Sequence, residues 1–346
     1  VKRFLAPYQR FFSLPDVTKM VLVAWVARLP IGMIGLSMLL FLRDKLGSFD
    51  LAGAAVGVSF LAMAITGPIS GRIIDRRGPQ GFLRITGITQ PTLMLVLFAV
   101  VHYQAPTWAV LLAAFASGAF PIPINTLART IWRHRFGDDA DRRMAYSVDS
   151  VTMELCFTIG PLIVATLIAL VSPSLAFLTV SAMMFGSFLI FLTSPALNYW
   201  QHEPSAERHL LGPLSDPQML LLFLVTFGLT TAFGLLEVGY PALATALTMP
   251  AFAGVMLAIN SVGSAIGGAI YGAMHLKLSI ERQFAAMLAL MVLPLLLHYG
   301  VNNLVPLGVV AFIAGATIAP SIAAQSLLVS RMAPQKYATE AFTWSS

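Results

Sequence analysis

One cysteine, Cys156, stands among 346 residues. A single thiol excludes an intrachain disulfide and any cysteine-rich metal site. Charge is the second shortage. Only 10% of residues are Asp, Glu, Lys or Arg, where a soluble domain carries about 25%. Nucleotide and zinc motifs are missing too. No Gly-x-x-x-x-Gly-Lys-Ser/Thr phosphate loop and no His-Glu-x-x-His pair occur, and the six histidines are scattered. Neither ATP-driven work nor metal-assisted hydrolysis by this chain is expected, nor any enzyme activity, cofactor or metal. The net charge of +6 lies in short loops without interleaved aromatics, which argues against nucleic acid as a partner.

What fills the chain instead is apolar sequence, 58% by composition. A helix rises about 1.5 Å per residue, so about twenty apolar residues cross a hydrocarbon layer about 30 Å thick. Inside lipid the backbone must satisfy its own hydrogen bonds, which makes such stretches helices. Ten are expected: Met20–Leu42, Leu51–Ile74, Phe82–Tyr103, Thr107–Trp132, Met144–Val171, Ser174–Leu197, Met219–Leu247, Phe252–His275, Phe284–Tyr299 and Leu304–Ser330. An eleventh begins near Ala338. The fold class is therefore all-α and integral to a lipid bilayer. Residues before Lys19 read as a short polar lead-in without a cleavage pattern.

If each stretch crosses once, eighteen of the 21 lysines and arginines fall on one side. Arg43 and Lys45 fall on the other, and Arg28 lies within the first span. The excess of basic loops places the N-terminus in the cytoplasm of a bacterial-type inner membrane. The longest polar interruption, residues 198–216, reads as a cytoplasmic linker between a six-helix bundle (1–197) and a second bundle (217–346). An internal repeat supports the division. A shift of 201 lays Ala52-Gly53 on Ala253-Gly254, Gly67 on Gly268 and Gly71 on Gly272; a shift of 197 lays Gly118 on Gly315 and Pro123 on Pro320. Matching spans run in the same direction, so the halves are parallel repeats about an axis along the membrane normal.

The loop after the second span reads Gly71-Arg72-Ile73-Ile74-Asp75-Arg76-Arg77-Gly78. It resembles the signature of the major facilitator superfamily, and Gly160-Pro161 after Glu154 resembles that family's antiporter motif. Arg129 sits near the usual basic position of the fourth helix. The resemblance implies a two-bundle fold and a secondary transporter. It also implies twelve helices, so the sequence is expected to be a fragment ending at the start of the eleventh. Gly71, Asp75, Arg76 and Gly78 are expected to form a conformational latch. A carboxylate just past one helix end can meet the positive N-terminus of another, and in the family that helix belongs to the other half, here near Ala338.

Ionisable groups inside spans are costly and default to functional candidates. Arg28 and Glu154 lie about 13 and 15 Å into spans that start on the same side, so they are expected to pair. Asp149 lies nearer the cytoplasm, level with Arg129, its expected partner. Glu154, Asp149 and Glu237 are the proton-coupling candidates, with Arg28 and Arg129 as charge partners. Glu237 sits among glycines and a proline that favour a broken helix. Asn125, Asn260, Gln325 and Trp25 are the candidate cavity residues.

The expected function is proton-coupled efflux of a small solute by alternating access, acting as a monomer. Proton symport of a sugar or organic acid is the alternative, since Arg28 would suit an anion. A membrane sensor that kept the fold without transporting is a third.

Overall fold

The computed structural model describes residues 2–201, 211–246, 252–274, 276–301 and 304–346; of these, side chains are not described at 2–4, 237–238, 241–246, 252–254 and 304–305. Helices account for nearly all of it. In chain order they are α1 (Lys2–Ser13), α2 (Val17–Leu46), α3 (Phe49–Arg77), α4 (Pro79–His102), α5 (Thr107–Ala119), α6 (Ile124–Arg135), α7 (Asp139–Leu170), α8 (Pro173–Leu192), α9 (Pro217–Ala246), α10 (Phe252–Ala273), α11 (Ile280–Leu297), α12 (Leu304–Gly315), α13 (Ile318–Met332) and α14 (Ala338–Ser345). Among the described residues ten spans are long and apolar enough to cross a membrane, α5–α6 forming one and α12–α13 another. Large apolar side chains such as Leu22, Ile85, Leu162, Phe227 and Leu296 are exposed around them. That is costly in water and expected where the surrounding solvent is lipid.

Two spans are broken, and the breaks coincide under the sequence repeat. α5 stops at Ala119 and α6 resumes at Ile124 after Pro121 and Pro123. α12 stops at Gly315 and α13 resumes at Ile318, with Pro320 in its first turn. Proline lacks the N–H an interior turn needs but is tolerated in a first turn, where that group has no intrahelical partner. The packing around the breaks repeats as well. Gly118 lies against the Ser59 carbonyl and Gly315 against the Asn260 carbonyl, and Ser59 and Asn260 are themselves 201 residues apart.

Helices α2 to α8 pack on one another, as do α9 to α13; α7 touches α10 and α13, and α3 touches α14. The apolar cores show where the halves meet. One cluster joins Phe11, Ile74, Trp132 and Tyr146 to Leu222, Phe284, Leu327 and Phe342, drawing on both halves at the ends that carry the basic loops. At the opposite ends the cores formed by the described residues are separate. Phe41, Met94, Val110 and Phe177 form one within the first half; Tyr240, Met256, Leu307 and Ala311 form one within the second. The molecule is sealed between its halves at the basic end.

Two local outcomes differ from the sequence reading. The lead-in contains helix α1, which carries Phe11 into a cluster with Trp132 and Phe136, ring centroids 6.2 and 5.7 Å away. Aromatics at helical spacing give a short polar segment one apolar stripe. Helix α7 begins at Asp139, five residues before the expected Met144. Asp138 caps it, accepting hydrogen bonds from the N–H groups of Ala140 (2.9 Å) and Asp141 (3.3 Å), a signal that hydropathy alone does not register.

Candidate functional site

The early start of α7 resets the depth of every acid on it. Counted from the observed helix starts, Arg28 lies about 16 Å into α2, Asp149 about 15 Å into α7 and Glu154 about 22 Å. Arg28 therefore meets Asp149 and not Glu154. Its Nη1 donates to Asp149 Oδ1 at 2.6 Å, and its Nη2 donates to the Asn125 carbonyl at 3.3 Å. Arg129 occupies the other carboxylate oxygen, Nε to Oδ2 at 3.2 Å, and the Tyr146 hydroxyl donates to the Arg129 carbonyl at 3.2 Å. One carboxylate thus holds two guanidiniums across α2, α6 and α7. Side-chain exposure is 0% for Arg28, 2% for Asp149 and 8% for Arg129.

The triad carries one positive charge in excess. Arg28 Nε is buried without a hydrogen-bond partner among the described residues, as are Trp25 Nε1, one turn earlier on α2, and Oδ1 of Asn125, the residue whose backbone carbonyl Arg28 bonds. A buried donor or acceptor left unmade costs about 1–3 kcal/mol, so such a set is a place for water or a polar ligand. Gln325 on α13 is buried with its Nε2 in the same condition. Asn260 is committed within its own half, donating through Nδ2 to the Ala311 carbonyl at 3.0 Å. Glu237 lies on α9, and its side chain falls outside the described residues.

Glu154 has a different neighbourhood, half-buried where α7 meets α10. The buried hydroxyl of Ser264 donates to Glu154 Oε1 at 2.9 Å and accepts from the Ala319 N–H at 3.2 Å. Ala319 is in the first turn of α13, just past the break in that span. A carboxylate from the first half is therefore linked, through one serine, to the positive end of a half-helix in the second. Sequence reading passed over Ser264, because a neutral residue among small ones carries no charge signal.

At the basic end Asp75 accepts from the Thr339 N–H at 3.0 Å and the Glu340 N–H at 2.9 Å, both at the start of α14. Gly71, one turn earlier, lies against the Glu340 backbone. Gly78 ends α3 with φ +81°, its N–H bonded to the Ile74 carbonyl. Arg76 is exposed and makes no hydrogen bond or ion pair among the described residues. The arginine that crosses is Arg72, whose Nη2 lies 2.5 Å from Oε1 of the fully buried Glu340. One helical turn separates Arg72 from Arg76, and only the inner one reaches the partner helix. Further ties between the halves join Arg331 to Asp139, Arg133 Nη2 to the Ala333 carbonyl (2.6 Å) and Arg143 Nη1 to the Met274 carbonyl (3.2 Å).

A family model described as Major Facilitator Superfamily matches residues 20–346. No curated protein matches. Among solved structures, a bacterial homologue of the iron transporter ferroportin in an outward-facing state superposes with TM-score 0.77 at 15% identity, over 95% of this chain and 87% of that one. The human organic anion transporter MFSD10 (TETRAN) gives 0.65 at 18% identity, over 96% and 90%. The proton:xylose symporter XylE gives 0.67 at 12% identity, over 95% and 85%.

Proposed function

The chain belongs to the major facilitator superfamily and has the fold of a secondary transporter, and from that premise we propose that it exports a small solute in exchange for protons by alternating access. Residues 1–197 and 217–346 are the two units that rock, joined by the cytoplasmic linker 198–216. The basic loops at the sealed end support a cytoplasmic position for that end, which makes the arrangement described above open toward the outside. Asp75, Gly71 and Arg72 act as the latch that closes the cytoplasmic end on α14.

The observation that carries proton coupling is the bridge from Glu154 through Ser264 to the head of α13. An ionised Glu154 accepts the serine hydrogen bond, and the half-helix beyond Ser264 favours its negative charge. Protonation removes the charge and weakens the tie between the halves. One proton thereby biases the equilibrium between two arrangements, as coupling requires. Asp149 is less suited to release its partners, since both its oxygens are occupied by guanidiniums.

The surplus positive charge at Arg28, Arg129 and Asp149 supports a second reading, symport of an organic anion. Proteoliposomes separate the two. Solute-driven proton flux is measured across a panel of organic cations, organic anions and sugars. Antiport drives protons against the solute, and symport drives them with it. Glu154→Gln is expected to reduce coupled flux to that of empty liposomes while solute binding persists. Coupled flux at the unmutated rate would remove Glu154 from the mechanism.

A further inference from the structure

At the basic end a polar groove of about 520 Å³ lies between α6 and α7 on one side and α13 on the other. Arg133, His134, Asp139 and Arg142 line it from the first half, Arg331 and Gln335 from the second. Two guanidiniums share one carboxylate, and a third, that of Arg133, lines the groove beside them. Arg331 pairs with Asp139 Oδ2, and Arg142 Nη1 lies 3.6 Å from Oδ1. Arg142 Nε also donates to the Phe136 carbonyl at 2.6 Å. A guanidinium has five N–H donors, so Arg142 and Arg331 retain several beyond these bonds. His134 adds another. The Gln201 N–H donates to its Nδ1 at 3.4 Å, which in the neutral ring leaves the proton on Nε2. That Nε2 is buried without a partner.

The lining thus offers donors in excess and two positive charges more than negative. Guanidinium forks match the oxygens of carboxylate and phosphate, and a surplus of two charges matches a phosphate dianion. We propose that this groove is a binding site for a phosphate-bearing anion that holds the two halves together at the basic end. The inference rests on reading that end as the cytoplasmic gate. Because each half supplies part of the lining, the complete site exists only while the gate is shut. A ligand present at 100 times its dissociation constant would favour the shut state about 100-fold.

A soluble phosphate and a lipid headgroup share this chemistry, and the test separates them. Purified full-length chain in phosphatidylcholine nanodiscs is titrated calorimetrically with inorganic phosphate. In a second arm, spin-label distances across the basic end are compared between nanodiscs with and without phosphatidylglycerol. Two variants accompany both arms. Arg142→Gln removes a donor set. Gln335→Glu adds a repelling charge at a side chain that makes no hydrogen bond among the described residues, so folding is preserved. Saturable phosphate binding, weakened at least tenfold in both variants, identifies a soluble anion. A distance change that needs phosphatidylglycerol and vanishes in both variants identifies a lipid headgroup. Absence of any response in either arm, or a response equal in wild type and Gln335→Glu, overturns the site. Asp75→Asn, outside the groove, is expected to weaken binding by loosening the gate; unchanged affinity would overturn the coupling to gate closure. Neither arm measures proton flux, so failure here leaves the role of Glu154 unaffected.

Discussion

Two crossing points join the halves at the basic end, and the internal repeat makes them counterparts. At one, Gly71 of α3 lies against Thr343 and Glu340 of α14; at the other, Gly272 of α10 lies against Ser147 of α7. Gly71 and Gly272 are 201 residues apart, Ser147 and Thr343 are 196 apart. The contacts match, but the charges do not. The N-terminus of α14 is capped from the other half by Asp75. The N-terminus of α7 is capped from its own side by Asp138, and the position 201 residues beyond Asp75 is Leu276. One crossing is therefore fastened by an ion that must be undone to open it. The other rests on close packing and on the Ser147 hydroxyl, which donates to the Gly268 carbonyl. Charge makes a contact that can be released; packing of small residues makes one that can slide or pivot. The α3–α14 crossing is suited to be the latch, and the α10–α7 crossing the bearing.

The most severe way to break this comparison is to unseat α7, the fixed side of the bearing. Asp149→Asn leaves two buried guanidiniums facing each other, and loss of one partner from a buried pair costs about 3–5 kcal/mol. A lowered unfolding midpoint in detergent is the expected result. Arg129→Ala should cost less, because the bond from Arg28 to Asp149 at 2.6 Å survives it. Equal midpoints for the two variants would mean that Asp149 does not bridge.

Next in size are the caps. Asp75→Asn keeps one acceptor but removes the charge facing α14. An anion at a partly buried helix N-terminus contributes up to about 2 kcal/mol, and the loss should appear as a larger separation across the basic end in spin-label distance measurements. Asp138→Ala removes an exposed cap within one half. It should cost about 0.5–1 kcal/mol of stability and leave that separation unchanged. If both variants open the gate alike, the distinction between latch and bearing fails.

How far the sequence reached follows the physical signal each feature leaves. Hydropathy and the positions of arginine and lysine suffice for the ten spans, since lipid imposes length and apolarity directly. The repeat was visible in Gly118 and Gly315 because close helix contact leaves few substitutes. Pairing within the membrane was harder. Arg28 was set against Glu154 because hydropathy starts α7 at Met144, and five residues of helix amount to about 7 Å of depth. Ser264, Arg72 and Glu340 act through geometry between distant segments, which leaves no local pattern. Asp75 was legible because its signature lies within eight consecutive residues.

The glycines provide a smaller and more selective test. A methyl group at Gly71 would strike the Cα of Glu340 at 2.7 Å, and backbone cannot turn aside. At Gly272 the obstacles are the Ser147 Oγ at 2.7 Å, the Ser147 Cβ at 2.9 Å and the Tyr8 hydroxyl at 3.0 Å, all side-chain atoms, and the two oxygens can swing aside. Overpacking costs about 1–3 kcal/mol where neighbours are fixed. Gly71→Ala should therefore shift the distance distribution toward the open gate, and Gly272→Ala should shift it less. The reverse order would assign the rigid contact to α10 and α7.

The smallest expected effect comes from the tie between Arg331 and Asp139. Their side chains are 39% and 34% exposed. Water and salt screen such a pair, and exposed pairs contribute about 0–1 kcal/mol. Arg331→Gln should leave the gate distance nearly unchanged in 0.15 M salt, where the screening length is about 8 Å. The latch ion differs in kind, because Asp75 is buried against the start of α14 and burial protects a charge from screening. Raising the salt to about 1 M shortens the screening length to about 3 Å. That change should erase the remaining effect of Arg331→Gln and leave the effect of Asp75→Asn in place. A salt dependence shared by both variants would show that the latch is solvated, and the contrast between the two crossings would then reduce to their packing.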